Sequence, residues 1–279
     1  MTGGQWYPGS MSRAINQMRE DLKAIDLVIE MLDARIPYSS RNPAFSGLFK
    51  NKRHLMLLHK ADRAESEHTE AWLSYFKAAG KEAMAFSVQG KQDLHRLFGC
   101  LKKEEDRMRS GRFKRPLRMI FVGIPNVGKS TLINLFVRKA VTRTGNRPGI
   151  TRGKQWIRIM PGMELLDTPG LLRPNIKEDT VRPLAVVGAI PGGRVDLHEA
   201  ALWLLDRYLE KGKMNLLTKK YPGLQPGTAG QLFEQVGFSQ GCLQSANKID
   251  TDRTAALLLR DFQSGALGRL TLEEAPPRE

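Results

Sequence analysis

The eight residues GIPNVGKS, Gly123 to Ser130, carry the most specific chemistry in the chain. Their pattern, G-x-x-x-x-G-K-[ST], is that of a phosphate-binding loop. Its glycines let backbone N–H groups face phosphate oxygens, and a helix starting at the loop adds its N-terminal dipole. The flanks supply the required context, with apolar MIFV before the loop and TLINLF after it. Lys129 is placed to reach the β- and γ-phosphates, a catalytic role. Ser130 is placed to ligate Mg²⁺, and Pro125, Asn126, Val127, Gly128 and Thr131 complete the cradle. Downstream, DTPG (Asp167 to Gly170) closes the run MELL. Asp167 suits a water-mediated hold on Mg²⁺, and the Gly170 N–H suits sensing of the γ-phosphate. Between the two motifs, RPGIT offers Thr151 as a second hydroxyl on Mg²⁺, engaged when a triphosphate is bound.

The base is selected elsewhere. Guanine presents N1–H and N2–H₂ donors that adenine lacks, so a carboxylate in an [NT]-K-x-D turn selects GTP. NKID, Asn247 to Asp250, matches that pattern and follows DTPG. No strong strand precedes it, and it leads into TDRTAALLL, so Asp250 or Thr251 reads as a helix N-cap. HKAD, His59 to Asp62, closes the strong strand HLMLL and is the better base reader. Asp62 would read the base and Lys60 would lie over its plane. His59 stands where an Asn is usual, with an imidazole N–H still able to bond locally. Ser87 and Val88 end a later strand, where a short loop can offer a backbone N–H to the guanine O6. The base-reading loops thus precede the phosphate loop, a circular permutation of the usual order.

The elements that position these groups follow from periodicity. A helix is expected over 11–25, then a buried strand ending at Asp33-Ala34-Arg35, a loop IPYSSRNP and a strand RHLMLLHKAD with a polar box at its end. The amphipathic helix EHTEAWLSYFKAAG, the short strand KEAMAFSVQG, a helix from Asp93 into a basic linker, and the phosphate-loop strand and helix come next. GITRGKQWIRIM and MELLDTPG read as two more strands. Alternating strands and helices imply an α/β fold: a circularly permuted P-loop GTPase domain, a mostly parallel sheet with helices on both faces. After Ile176 the strands stop, and HEAALWLLDRYLEKG, GQLFEQVGF and RTAALLLRDFQSG read as helices of a small all-helical domain. The expected division is 1–177 and 178–279, with no internal repeat.

The bulk composition agrees with a polyanionic partner. Lys plus Arg number 44 against 29 Asp plus Glu, a formal charge of +15. The basic linker Lys102 to Arg118 and the C-terminal helices are the expected RNA contacts. Two distant cysteines, Cys100 and Cys242, form no zinc or disulfide pattern and fit a reducing compartment. The N-terminal residues lack the apolar run of a secretory signal, and no apolar run is long enough for a membrane span.

The chain resembles the circularly permuted GTPases, and most closely the ribosome biogenesis GTPase A family. QWYPGSM, LDARIPYSSRNP, HKAD, GIPNVGKSTLIN, TGNRPGITRGKQW, LLDTPGLL and LRDFQSGALGRLTLE carry the resemblance over nearly the whole length. It implies a GTP-hydrolysing assembly factor for the large ribosomal subunit, docking on rRNA of a subunit precursor in the GTP state and released on hydrolysis. It further implies GTP/GDP and Mg²⁺ as ligands, no small-molecule substrate besides GTP, a monomer, and a bacterial cytoplasm or, alternatively, a mitochondrial matrix. Asn126 resembles the Asn that helps hold K⁺ in potassium-activated GTPases. Leu171 follows DTPG where many small GTPases have a water-orienting Gln. The family's W-F-P-G-H-M motif carries a His that helps position the attacking water, and here that position is Ser10. Slow intrinsic hydrolysis, stimulated by the ribosomal particle, is the expected consequence. The alternative is a nucleotide-dependent RNA-binding protein with negligible hydrolysis.

Overall fold

The computed structural model of the 279-residue chain describes residues 16–45, 47–110, 115–144, 156–166, 178–190 and 195–277. These fall into two compact units. One comprises the residues up to 175 together with 273 onward, and the other residues 176–272.

The first unit is built on six strands: β1 (Leu27–Asp33), β2 (Arg53–His59), β3 (Glu82–Phe86), β4 (Leu117–Gly123), β5 (Trp156–Met160) and β6 (Met163–Leu166). They lie in the order β3-β2-β1-β4-β6-β5. The pairs β1–β2, β1–β4, β2–β3 and β4–β6 are parallel, whereas β5 runs antiparallel to β6. Pro161 and Gly162 alone separate β5 from β6, too few residues for a parallel crossover, so the two close as a hairpin. β1, LVIEMLD, is buried along its whole length, as a central strand covered on both faces must be. The chain passes from β1 to β2 on one side, while β4 pairs with β6 on the other. The carboxyl ends of β1 and β4 therefore flank the crevice where open α/β sheets place ligands.

Helix α1 is described over 16–22, and α2 (Ser66–Ala78), α3 (Lys91–Arg109) and α4 (Lys129–Thr144) follow. One sheet face carries two apolar clusters. Met18, Leu22, Phe45 and Phe49 pack with Val28, Ile120 and Val122, and Trp72 and Phe76 pack with Leu32, Met56 and Leu58. On the other face Phe136 of α4 stacks on Phe121, and Phe98 of α3 meets Phe136 edge-on. The tail belongs to this unit. The Glu273 carboxylate accepts from the N–H groups of Tyr38 and Ser39, Trp72 Nε1 donates to the Glu273 carbonyl, and Ala275 packs on the Trp72 cluster.

The basic stretch from Lys102 to Arg118 is mostly not a linker. It is helical to Arg109, and its cations meet carboxylates: Lys102 and Arg109 on Glu105, Arg107 on Glu104, Arg115 on Asp26, Arg118 on Glu164. Much of its charge is therefore already matched within the protein.

The second unit packs α5 (Glu178–Val186), α6 (Leu197–Glu210), α7 (Met214–Lys220), α8 (Ala229–Ser239) and α9 (Thr251–Ser264) around the buried face of α6, Leu204, Leu205 and Tyr208. Asp196 caps α6, and Thr228 with Gln231 forms a capping box on α8. Asp250 caps α9 by accepting from the Arg253 N–H, and Gly265 at φ 87° ends that helix. Among the described residues no helix is long and apolar enough to cross a membrane.

Candidate functional site

The loop at the end of β4 is shaped by what glycine alone allows. At Gly123 an added Cβ would lie 2.5 Å from the Met31 carbonyl oxygen of β1. At Gly128, φ +115°, it would lie 2.5–2.6 Å from the His59 ring. Asn126 takes the left-handed conformation, φ 57°, and is exposed. Ile124 and Val127 are buried and anchor the loop. Lys129 opens α4 and is 7% exposed, its Nζ donating to the Gly123 and Ile124 carbonyls at 3.1 and 3.0 Å. Ser130 and Thr131, in the first turn of α4, are exposed. A cradle that a Cβ would fill, a lysine folded onto its own loop and an exposed hydroxyl at a helix N-terminus fit a nucleotide's phosphates and their metal.

The turn His59 to Asp62 sits directly against this loop. His59 is 4% exposed, with Nδ1 2.8 Å from the Val127 carbonyl oxygen and its ring stacked on Phe86. A carbonyl only accepts, so Nδ1 carries the proton and the ring is neutral with Nε2 bare. That Nε2 is buried without a partner among the described residues. Burial drives the His59 pKa down to about 4, against a partial counter-effect of the Val127 hydrogen bond. The histidine thus makes the local bond expected of an N–H donor at this position.

Lys60 takes φ 60° and bridges the two loops, its Nζ donating to Asp33 Oδ2 and to the Asn126 carbonyl, each at 2.9 Å. Asp33 closes β1 and is wholly buried, as is Arg35, which grips both its carboxylate oxygens through Nε (2.9 Å) and Nη2 (2.8 Å). Burial alone would raise the Asp33 pKa. The charges and hydrogen bonds of Arg35 and Lys60 outweigh it and hold the carboxyl far below the usual range. Burial also lowers the Lys60 pKa, opposed by Asp33. Asp62 lies in a short 3₁₀ turn after Lys60, half-buried beside Arg63.

After β3, the Ser87 N–H donates to Asp93 Oδ2, while the Gln89 and Gly90 N–H groups turn back onto Ser87. Val88, half-buried, lies between Ser87 and Gln89 in this loop. The structure therefore brings His59, Lys60, Pro125 to Ser130 and Asp33 together at one edge of the sheet. It leaves Asn247 to Asp250 in the other unit as the cap of α9. Ser10, Thr151, Asp167, Gly170 and Leu171 lie outside the described residues. Among those described, no group of three or more His, Cys, Asp or Glu could hold a metal ion.

Sequence reasoning from chemistry alone did not assign Asp33 and Arg35. Their signal was a charged D-A-R at the end of an otherwise apolar strand, where burial forces pairing.

Comparison with known proteins converges on one family. The family model described as "50S ribosome-binding GTPase" matches residues 118–215. Ribosome biogenesis GTPase A of Bacillus pumilus is 40% identical over 277 residues, covering 97% of this chain and 98% of that protein. The Bacillus cereus protein of the same name is 41% identical over 276 residues, covering 96% and 93%. The crystal structure of GNP-bound YlqF from T. maritima superposes with a TM-score of 0.67 at 27% identity, covering 94% of this chain and 98% of that one. With such identity sustained end to end, on a sheet whose loops meet as a nucleotide site requires, the chain belongs to the ribosome biogenesis GTPase A family.

Proposed function

We propose that the chain is a GTP-controlled docking factor, a large-subunit assembly GTPase that binds rRNA of the precursor with GTP and leaves after hydrolysis. The observation that carries the reading is the Lys60 bridge from the Asp33–Arg35 pair to the Asn126 carbonyl, which locks base reader and phosphate loop into one site. Asp62 accepts from guanine N1–H and N2–H₂, the Val88 N–H donates to O6, and the Lys60 stem covers the base. Lys129 exchanges its two loop carbonyls for phosphate oxygens when the triphosphate enters.

Ser130, with Thr151 and Asp167, would hold Mg²⁺, which would neutralise the charge that develops on the transferred phosphoryl group. Asn126 is the protein's candidate ligand for K⁺ beside the same phosphates. Thr151 and Gly170 respond to the γ-phosphate and so report its presence to the RNA-binding surface. Leu171 cannot orient water, and Ser10 is shorter than the family's histidine. Intrinsic turnover is therefore slow, and the ribosomal particle supplies part of the active arrangement. Net charge +15 favours the RNA partner, with the helical residues 178–272 as the RNA-binding domain, the protein a cytoplasmic monomer.

Co-sedimentation with large-subunit precursors in a GTP analogue, GDP and no nucleotide tests the switch. Binding is expected with the analogue alone, and nucleotide-independent binding would overturn the reading. Phosphate release with and without precursors measures the stimulation.

A further inference from the structure

A cavity of about 320 Å³ opens on the sheet away from the Gly123–Ser130 loop. It lies by the start of β2, and roughly 17 Å of strand separates His54 from His59. Its floor is a carboxylate in an unusual place. Glu30 sits in the middle of β1, 4% exposed, between the apolar positions Val28 and Leu32 of the same face. Beside it on β2 is His54, whose Nε2 is 3.0 Å from Glu30 Oε2 yet makes no properly directed hydrogen bond. The walls are aromatic, with Phe49 edge-on to His54 and Phe45 tilted against Phe49, each at 5.2 Å between ring centres.

The rim is cationic. The Arg41 Nε is buried without a partner among the described residues, and Lys50 and Lys81 are exposed. Lys52 and Arg53 are already engaged, by the Ile25 carbonyl and by Glu82 and Glu104.

These features select a guest. A purely anionic guest would meet Glu30, and a purely cationic one would be repelled by the rim. The cavity asks for a flat, donor-tipped group that carries its negative charge at the outer end. A nucleotide has this form: base amine inward to the carboxylate, ring lying against the aromatic wall, phosphate at Lys50, Lys81 and Arg41.

We propose that this cavity receives a splayed base of single-stranded RNA, with guanine preferred. Guanine offers N1–H and N2–H₂ side by side to a carboxylate. Adenine and cytosine offer one amine, and uracil flanks its single N–H with two repelling carbonyls. The inference rests on the reading of the chain as an RNA-docking factor and adds a contact on the GTPase unit to it.

The test uses the full chain saturated with a GTP analogue, so that the nucleotide site is blocked. Anisotropy of the labelled RNA hexamers UUGUUU and UUUUUU is read with and without 5′-GMP as competitor. The guanine hexamer is expected to bind about tenfold tighter. E30Q removes the preference while uridine binding stays. The exposed pair K50A/K81A weakens both hexamers and flattens the salt dependence. Equal binding of the two hexamers by the native chain overturns the proposal, as does an E30Q chain of native melting temperature that keeps the preference. Competition by GMP at affinity equal to the hexamer's assigns the cavity to a free nucleotide and overturns the RNA form. Co-sedimentation with precursors, scored separately, stands or falls with the docking reading rather than with this cavity.

Discussion

Replacing His59 by Asn tests the electrostatics of the site. The Asn amide can donate to the Val127 carbonyl as the imidazole does, but it does not titrate between pH 5 and 8. Folded His59 is neutral and takes up a proton only near pH 4, because burial disfavours the charged ring. In the unfolded chain the same ring protonates at its ordinary 6.5. Above pH 6.5 neither state binds the proton, so His59 adds no pH dependence there. As pH falls from 6.5 toward 4 the unfolded chain gains protons that the folded one refuses, and stability drops. At 1.36 kcal/mol per pH unit the loss approaches about 3 kcal/mol near pH 4 and is about 2 kcal/mol by pH 5.

Three charged groups face the ring, Lys60, Asp33 and Asp62. Asp33 is held so low that its own linkage enters only below about pH 4. Urea unfolding between pH 7.5 and 5, read by hydrogen exchange of β2 peptides, measures the effect in this unit alone. The smaller Asn side chain leaves space over Phe86, so His59→Asn is expected to be less stable by about 1 kcal/mol at pH 7.5. The gap should close and invert by pH 5. Parallel pH profiles for the two proteins would refute the buried neutral ring and its assigned tautomer.

Gly128→Ala should weaken guanine nucleotide binding by about tenfold or more, since the added Cβ meets the His59 ring and φ +115° strains alanine. Calorimetric titration with GDP checks it, and a second change, His59→Ala, should recover part of the loss. Arg35→Met leaves Asp33 buried with Lys60 as its remaining cation, so unfolding free energy should fall by about 3 kcal/mol, read by urea titration. Truncation after Leu272 removes the Glu273 carboxylate from the Tyr38 and Ser39 N–H groups and should cost about 2 kcal/mol. Glu273→Gln, which keeps an acceptor, should cost less, both losses being read by urea titration.

The phosphate loop was legible because its chemistry is local: seven consecutive peptide units and the strand and helix on either side determine it. HKAD was legible because a strong strand ends there, and the NKID alternative was discarded because helix capping explained Asp250 better. What holds HKAD in place was not legible, since Val127 lies 68 residues from His59 in the chain and Asn126 lies 66 from Lys60. The Ser87 loop was found, but its geometry was not, for Asp93 in the following helix takes the Ser87 N–H. Helices α5 and α7 escaped for different reasons. Pro183 inside α5 reads as a breaker, and the seven residues of α7 are too few to show a period. The apparent basic linker misled because charge was counted along the chain, whereas its carboxylate partners Asp26 and Glu164 come from distant segments. The return of the tail through Glu273 left no local signal at all.

The permutation leaves the site intact because all four contributing loops leave parallel strands at the same edge, whichever order the chain visits them. What it changes is the seam. β1 and β4 are neighbours whose halves of the unit are joined in sequence only through α3 and residues 110–116. That seam is clamped at both ends. At the start of the strands the Asp26 carboxylate takes both Arg115 terminal nitrogens at 2.7 Å and the Arg118 N–H at 3.0 Å. At the finish, Asp33 holds Lys60 and Lys60 holds the Asn126 carbonyl. Backbone pairing from Leu27 to Met31 fills the interval. A base that draws Lys60 or Asp62 toward itself therefore pulls on the left-handed Asn126 peptide, and through it on the phosphate loop. In this chain the His59–Asp62 turn and the Gly123–Ser130 loop are mechanically one object, even though the polypeptide builds one long before the other.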